Sequence, residues 1–295
     1  MSEKLERPSW IRVPASVSLG FTETLNIIKS VGVHTVCEEA MCPNIGECWK
    51  NKTATFLIMG DTCTRNCGFC NVKHGRPEFL DTDEPVKVAQ SVKKLGIKYA
   101  VITCVTRDDI TDGGAQHFAN VIKAIRDLNP ETKVEILTSD LRGNVDAIQT
   151  IVEAKPNVFG HNLEVVRSFH KQVKHPPADY DISINFLKTV KKLDSKMITK
   201  TGIMVGIGET KEDVLNLIDD VVSAHINILT IGQYLPPSSS HYPIARYVTP
   251  EEFAEYAEYG TTLGIRVIAG PLVRSSYKAK ETYALLKAAR NAPRI

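Results

Sequence analysis

The stretch Asp61-Thr-Cys-Thr-Arg-Asn-Cys-Gly-Phe-Cys-Asn71 places thiols at Cys63, Cys67 and Cys70, spaced C-x3-C-x2-C. Cysteine thiolates hold iron–sulfur clusters, normally four to a cubane. Three ligands in one short loop leave one iron of a 4Fe–4S cubane without a protein ligand, and an open position on a metal centre binds a small molecule. Gly68 lets the loop fold tightly enough to aim its thiolates at one centre. The alternative is a zinc knuckle, which needs a fourth Cys or His at matching spacing; His74 is the residue that would supply it.

A second set lies upstream in Cys37-Glu-Glu-Ala-Met-Cys-Pro-Asn-Ile-Gly-Glu-Cys48, spaced C-x4-C-x5-C, with Pro43 and Gly46 to bend the chain between the thiols. Buried free cysteines behave as small hydrophobes. That alternative suits the segment poorly, because the neighbours are Glu38, Glu39, Asn44 and Glu47. Two triplets within 34 residues imply two clusters. Cys104 stands alone in an apolar run and reads as core. Clustered cysteines in a cytosolic chain are more often metal ligands than disulfide partners, so the sequence reads as a protein of a reducing, cytoplasmic compartment.

The elements that must position these residues alternate. Residues 1–52 are polar and turn-rich, with few helix or strand signals beyond Thr22–Ser30. From Thr53 apolar runs predict strands at Ala54–Met59, Tyr99–Val105, Lys133–Leu137, Val158–Leu163, Met197–Val205 and Ile226–Leu235, with a late strand at Gly264–Ala269. Helices are predicted at Asp83–Leu95, Gly114–Leu128, Val145–Glu153, Asp181–Leu193, Lys211–Ala224 and Ser276–Ala289, with another opened by a capping-box pattern at Thr249-Pro-Glu-Glu. Strand–helix alternation means a parallel sheet, closed or partly closed. Parallel barrels do their chemistry at the carboxyl ends of the strands, where the Cys63–Cys70 loop falls. A doubly wound open sheet is the other option, but a cysteine loop sits where its Gly-rich turn belongs.

Other strand ends carry polar residues. Gly113 and Gly114 would let backbone approach a ligand, or would simply start a helix. Asn162 and Glu164 fall on the rim. Gly202-Ile-Met-Val-Gly-Ile-Gly-Glu-Thr210 is Gly-rich but lacks the Lys of a P-loop. The formal charge of +2 and the absence of a basic block argue against nucleic acid. The start, with Glu3 and Glu6 and no apolar h-region, shows neither a secretory nor an organellar signal, and no apolar run reaches membrane-span length. At 295 residues with 43% hydrophobic content, the chain can bury one large core or two modest ones.

The Cys63 loop, with Phe69 just before its third cysteine, resembles the cluster loop of the radical S-adenosylmethionine (SAM) superfamily. That resemblance implies an open iron that chelates SAM and an electron transfer that cleaves the sulfonium to a 5′-deoxyadenosyl radical. It also implies an α/β fold, a partial (β/α)6 TIM-like barrel over residues 53–263. An N-terminal cluster-binding extension would occupy 1–52, and a short C-terminal extension, 264–295, would close on the auxiliary cluster. SAM contacts are expected from Phe69, Thr106, Asn162, Glu164, Gly206, Gln233, Tyr234 and Leu235.

A closer resemblance, to the lipoyl synthase family, runs from about Trp10 to Tyr277. It rests on both cysteine triplets, the loop running on to His74-Gly-Arg-Pro77, Arg107-Asp-Asp109, His161-Asn-Leu-Glu164, Gln233-Tyr-Leu-Pro-Pro237 and Arg274-Ser-Ser-Tyr277. One departure is Leu141 in Ser139-Asp-Leu-Arg-Gly143, where that family is expected to carry an aromatic; it should alter packing and not chemistry. The resemblance implies insertion of two sulfur atoms at carbons 6 and 8 of an octanoyl chain on a lysine of a carrier protein. The second cluster, on Cys37, Cys42 and Cys48, would be the sacrificial donor. Ser276, or failing it Ser275, would be its weak fourth ligand, since alkoxide is a harder ligand than thiolate; without the resemblance the two serines read as a helix N-cap pair. Implied partners are octanoylated glycine cleavage H protein and 2-oxoacid dehydrogenase E2 lipoyl domains, an electron donor such as ferredoxin or flavodoxin, and a cluster-rebuilding carrier. No nucleic acid or membrane is expected, and the chain is expected to be a monomer. Two alternatives stay open: another sulfur-inserting radical enzyme, biotin-synthase-like or methylthiolating, and a non-enzymatic two-cluster electron carrier, for which six clustered thiols are too few.

Overall fold

A computed structural model describes residues 5–13, 18–51 and 53–291. Residues 1–4, on which the reading of the chain's start partly rests, lie outside them. Among the described residues one eight-stranded sheet runs β1 (His34–Thr35), β2 (Thr55–Ile58), β3 (Tyr99–Cys104), β4 (Lys133–Leu137), β5 (Val158–Gly160), β6 (Thr199–Val205), β7 (Ile228–Gln233) and β8 (Arg266–Gly270). β1 joins β2 antiparallel. From β2 to β8 every neighbour is parallel, in chain order. Each connection steps to the adjacent strand, so the sheet curls one way, and its edges β1 and β8 do not pair. The result is the expected six-stranded partial barrel, β2–β7, lengthened by one strand at each edge.

The helices are α1 (Leu19–Val31), α2 (Val36–Glu39), α3 (Ile45–Lys50), α4 (Glu84–Leu95), α5 (Ala115–Leu128), α6 (Val145–Glu153), α7 (Arg167–Val173), α8 (Tyr180–Leu193), α9 (Lys211–Ser223), α10 (Pro250–Thr262) and α11 (Ala279–Asn291). Side chains alternate across each strand. Outward-facing Phe56, Ile58, Ala100, Ile102, Val134, Ile136 and Phe159 form the main core with the outer helices. Inward-facing residues at the amino ends of the strands, Tyr99, Val101, Val158, Ile198 and Ile228, pack with Ala279, Tyr283 and Leu286 of α11. The last helix therefore plugs the barrel floor. Lys200 and Glu135 pair there at 2.7 Å with Tyr99 donating its hydroxyl to Glu135, which satisfies the buried charges.

The amino-terminal segment is more structured than its composition suggests. Ser18 caps α1 by accepting from the Phe21 N–H, and Gly32 closes it in the left-handed region. Phe21 stacks on the buried Trp49 at 5.1 Å, and the Thr24 hydroxyl donates to the Trp49 carbonyl. Helices α2 and α3 are too short, at 4 and 6 residues, for a periodic signature to show.

Two local expectations differ from the fold, the capping box at Thr249 and a helix cap from Asp83 in Asp83-Glu-Pro85. Thr249 caps α10, but Glu252 does not complete a capping box, because Arg246 holds its carboxylate at 2.6 and 2.7 Å. Asp83 makes no side-chain cap to α4. Gly113 and Gly114 start a helix, as the second of their two readings has it: Gly114 is the N-cap of α5, and an added Cβ at the two positions would meet Leu141 Cδ2 at 2.9 Å and Met59 Sδ at 2.1 Å. Leu141 fills the space beside Gly113.

Glu84, at the start of α4, is buried and accepts from the Met59 N–H at 2.8 Å and lies 2.6 Å from His117 Nε2 of α5. It ties both helices to the end of β2, one residue before the chain turns into the cysteine loop through Met59 and Gly60, both at positive φ. Removing a buried acceptor strands its donors, at about 1–3 kcal/mol. Glu84→Ala should lower unfolding free energy by about that amount in urea titrations, whereas Asp83→Ala, which removes no cap bond, should change it by less than about 0.5 kcal/mol.

Candidate functional site

The loop after β2 is pinned at several points. Cys63 Sγ accepts from the N–H groups of Arg65 (3.4 Å) and Thr106 (3.3 Å), and Cys67 Sγ accepts from the His175 N–H (3.4 Å). Gly68 donates to the Val173 carbonyl and accepts from the Tyr242 N–H. The Arg65 guanidinium, 6% exposed, reaches Asp108 at 2.8 Å and Asp140 at 2.7 Å, joining the loop to the ends of β3 and β4. Burial opposes ionisation of Asp140, but its bonds to Arg65 win and hold the carboxyl well below the usual range.

The thiols are close and desolvated. Cys70 is pushed up to about 12 by burial, with the Cys67 and Cys63 sulfurs adding to the rise; Cys67 is raised by burial too, against the pull of Lys174. Buried thiols resist ionisation unless a metal supplies the compensating charge. His74 is exposed and does not line the cavity. Among the described residues no three His, Cys, Asp or Glu converge tightly enough for a single metal ion. His74 pairs with Cys63 along the backbone but keeps its side chain exposed and off the cavity wall, while three neighbouring thiols with backbone N–H groups on their sulfurs are the donor set of a cubane.

The second triplet comes from α2, the turn after it and α3. Cys37 is raised to about 11 by burial, and Cys48 to about 12 by burial and by the nearby Cys37 and Cys42 sulfurs. Cys42 is raised by burial and relieved in part by the Asn44 N–H and the positive charge of Arg274. The donor set is again three thiols, Cys37 buried and Cys42 and Cys48 half-buried. Asn44 donates to the Leu272 carbonyl at 2.7 Å, bringing the chain's carboxyl-terminal segment to this triplet.

That segment enters the barrel mouth through space left by glycines. A Cβ on Gly232 would lie 2.1 Å from the Val273 carbonyl oxygen, and one on Gly202 would lie 3.2 Å from Ser275 Oγ. Ser275 accepts from Asn162 Nδ2 at 2.6 Å. Among the described residues the Ser276 hydroxyl has no hydrogen bond to protein; the Ala279 N–H bonds the Ser276 backbone carbonyl at 3.3 Å.

Both triplets open on one cavity of about 480 Å³ at the carboxyl ends of the strands. Cys37, Cys42, Cys63, Cys67, Cys70, Phe69, Thr106, Asn162, Glu164, Tyr234, Leu235 and Ser276 line it; Ser275 does too. Cys48 lies behind Cys37 and Cys42 rather than on the wall. Gly206 and Gln233 are not on the wall either. Gln233 is fully buried, donates to the Val205, Tyr234 and Arg246 carbonyls and accepts from the Val248 N–H. Gly206 faces that amide, 2.2 Å from where its Cβ would be. The pair braces the loops after β6 and β7. Cys104 packs against the core, as expected, and also reaches the cavity wall.

Of the remaining wall residues, the His161-Asn-Leu-Glu164 stretch was marked in the sequence and Lys174 was not. His161 donates Nδ1–H to the Thr138 carbonyl at 2.9 Å, and burial holds its pKa down to about 4, so the ring is neutral at pH 7 and Nε2 is a bare acceptor. His161 Nε2 and Asn162 Oδ1 are buried without protein partners. Acceptors of this kind on a cavity wall are open to a donor from a ligand or from water. Glu164, at φ 72, is raised by burial and opposed by Lys174 and Asn162. Lys174 sits on the wall beside it, delivered by the unanticipated helix α7.

The sequence matches the radical SAM superfamily over residues 57–221. It is 49% identical over 278 residues to the lipoyl synthase of Caldicellulosiruptor saccharolyticus, covering 94% of this chain and 97% of that one. The fold is similar to the FeFe-hydrogenase maturase HydG from Carboxydothermus hydrogenoformans (TM-score 0.56, 12% identity, 90% of this chain and 78% of that one). It is similar also to methylornithine synthase (TM-score 0.58, 11% identity), where it covers 72% of this chain but only 63% of that one. With a superfamily match across more than half its length and a relative this similar end to end, the chain belongs to the lipoyl synthase family of radical SAM enzymes.

Proposed function

We propose that the protein inserts two sulfur atoms, at carbons 6 and 8, into an octanoyl chain carried on a lysine of a lipoyl carrier protein. The observation that supports this most is the opening of two separate, internally coupled thiol triplets on one cavity. When bound, the two 4Fe–4S clusters and SAM supply a primary carbon radical able to remove hydrogen from an unactivated C–H bond, and the sulfur that replaces it.

The chain's own residues position and exclude. Cys63, Cys67 and Cys70 hold the first cluster, leaving one position free for SAM. Phe69, Thr106, Asn162, Glu164, Tyr234 and Leu235 surround SAM, with Gly206 and Gln233 bracing them from behind. Val36, Met41, Val72, Pro236 and Leu235 give the cavity an apolar wall suited to an alkyl chain and unsuited to water, which protects a reactive radical. Cys37, Cys42 and Cys48 hold the second cluster, and Ser276 completes it through oxygen. Two facts support Ser276 over Ser275: the Ser275 hydroxyl is engaged by Asn162, and the Ser276 hydroxyl has no bond to protein among the described residues. A single hard ligand on a soft site makes one iron easier to lose.

The carriers are octanoylated glycine cleavage H protein and 2-oxoacid dehydrogenase E2 domains, reduction comes from a ferredoxin or flavodoxin, and a separate carrier rebuilds the spent cluster. The chain works as a cytoplasmic monomer, with residues 1–52 and 264–295 serving the second cluster and 53–263 the first. Among the described residues no helix is long and apolar enough to cross a membrane.

Three outcomes are expected. Anaerobically prepared wild type should hold about eight irons per chain, as two cubanes require, and Cys63/Cys67/Cys70→Ala should hold half, measured by colorimetric iron assay. The Cys37/Cys42/Cys48→Ala variant should still cleave SAM to 5′-deoxyadenosine, yet form no lipoyl product without added sulfide; product by mass spectrometry under those conditions would remove the donor assignment. Ser276→Cys should keep full iron and SAM cleavage but stall in sulfur transfer, while Ser276→Ala should leave the second cluster labile; normal lipoyl yield from both would take serine ligation out of the mechanism.

A further inference from the structure

Asn162 touches both halves of the cavity. Its Nδ2–H donates to Ser275 Oγ at 2.6 Å, while its Oδ1 is buried on the wall with no protein partner. The same amide also favours the charged form of Glu164. Beneath it lies Gly202, where an added Cβ would stand 2.5 Å from Thr230 Oγ1, 3.0 Å from Asn162 Oδ1 and 3.2 Å from Ser275 Oγ. Packing this close leaves the amide plane little freedom. Ser275 immediately precedes Ser276, so whatever fixes Ser275 fixes the turn that presents Ser276.

We propose that the Asn162–Ser275 hydrogen bond is a latch that couples occupancy of the SAM side of the cavity to the placement of Ser276 at the second thiol triplet. Asn162 and Ser275 are then positioning residues for sulfur donation. A ligand N–H or O–H donated to Asn162 Oδ1 removes the cost of a buried, unpaired acceptor. It also polarises the amide and strengthens the Nδ2–H donor toward Ser275, because hydrogen bonds in a chain reinforce one another. Coupling of this kind is reciprocal in binding free energy: if SAM tightens the turn, the turn tightens SAM by the same factor. The pairing would keep the second cluster whole until SAM is cleaved, so that loss of its hard-ligated iron follows only then.

The inference rests on the function proposed above, but its test reads binding and not product. Wild type, Ser275→Ala and Ser275→Thr are loaded with both clusters, and SAM affinity is measured by equilibrium binding. Iron retained by the second triplet at equilibrium with a competing chelator is measured with and without SAM, the Cys37/Cys42/Cys48→Ala variant supplying the background. SAM should improve retention in wild type by up to about twofold, the cooperative strengthening of a hydrogen bond that is already present without it. Ser275→Ala should load its full iron, lose that improvement and bind SAM more weakly by the same factor. Ser275→Thr, which keeps the hydroxyl, should recover both. Should the alanine variant fail to accumulate, Ser275→Gly deletes the same oxygen. Equal SAM protection of Ser275→Ala and wild type overturns the latch, as does wild-type iron retention that ignores SAM. Deficient iron loading in Ser275→Ala, before any chelator, would make Ser275 a ligand and not a latch. Absence of lipoyl product from fully loaded wild type overturns the function alone, and leaves these binding outcomes to decide the latch.

Discussion

The site depends on the buried guanidinium of Arg65, held between the carboxylates of Asp108 and Asp140. A charge taken out of water is tolerated only when its partners are close and its hydrogen bonds complete, and here two carboxylates engage the fork of donors. Arg65 lies between Cys63 and Cys67, while its partners sit beyond the ends of β3 and β4. One side chain thus turns an irregular loop into a fixed part of the barrel rim. Arg142 bonds Asp108 as well, so two cations face two anions.

Thiol burial adds a second constraint. Every thiol of the two triplets that shows a shift is moved toward the neutral form, with burial as the leading cause. Such pockets are poor homes for isolated thiolates and good ones for thiolates whose charge is shared with iron. The environment that disfavours ionisation also keeps water from a reactive carbon centre. Fold stability and chemistry make the same demand of these walls.

The barrel gives the second triplet its place through what it leaves out. Parallel strands laid down in chain order leave an open seam, and α11 closes the floor. Above it, Gly202 and Gly232 present bare backbone to the interior, and the Val273–Ser276 turn occupies that space. A residue with a side chain at either position would push the turn away from Asn162 and from the triplet beyond it. The two ends of the chain, tied through Asn44 and Leu272, therefore meet over a sheet built from its middle.

Local features were legible in the sequence. The spacing of each cysteine triplet is a property of a dozen or fewer residues, so its chemistry could be read directly. The alternation of apolar strands and amphipathic helices likewise follows from periodicity, and it gave the parallel sheet and the rim on which the Cys63 loop sits. Other features depend on residues far apart in the chain, and only the tertiary structure decided them. Gly206 and Gln233 look like ligand contacts in a Gly-rich run and a polar strand end, yet they brace each other behind the wall. Lys174 reaches the cavity because α7 folds beside it, which no local pattern announces. Ser275 and Ser276 are indistinguishable as neighbours in a turn; they differ because Asn162, 113 residues away from Ser275, reaches the first and not the second.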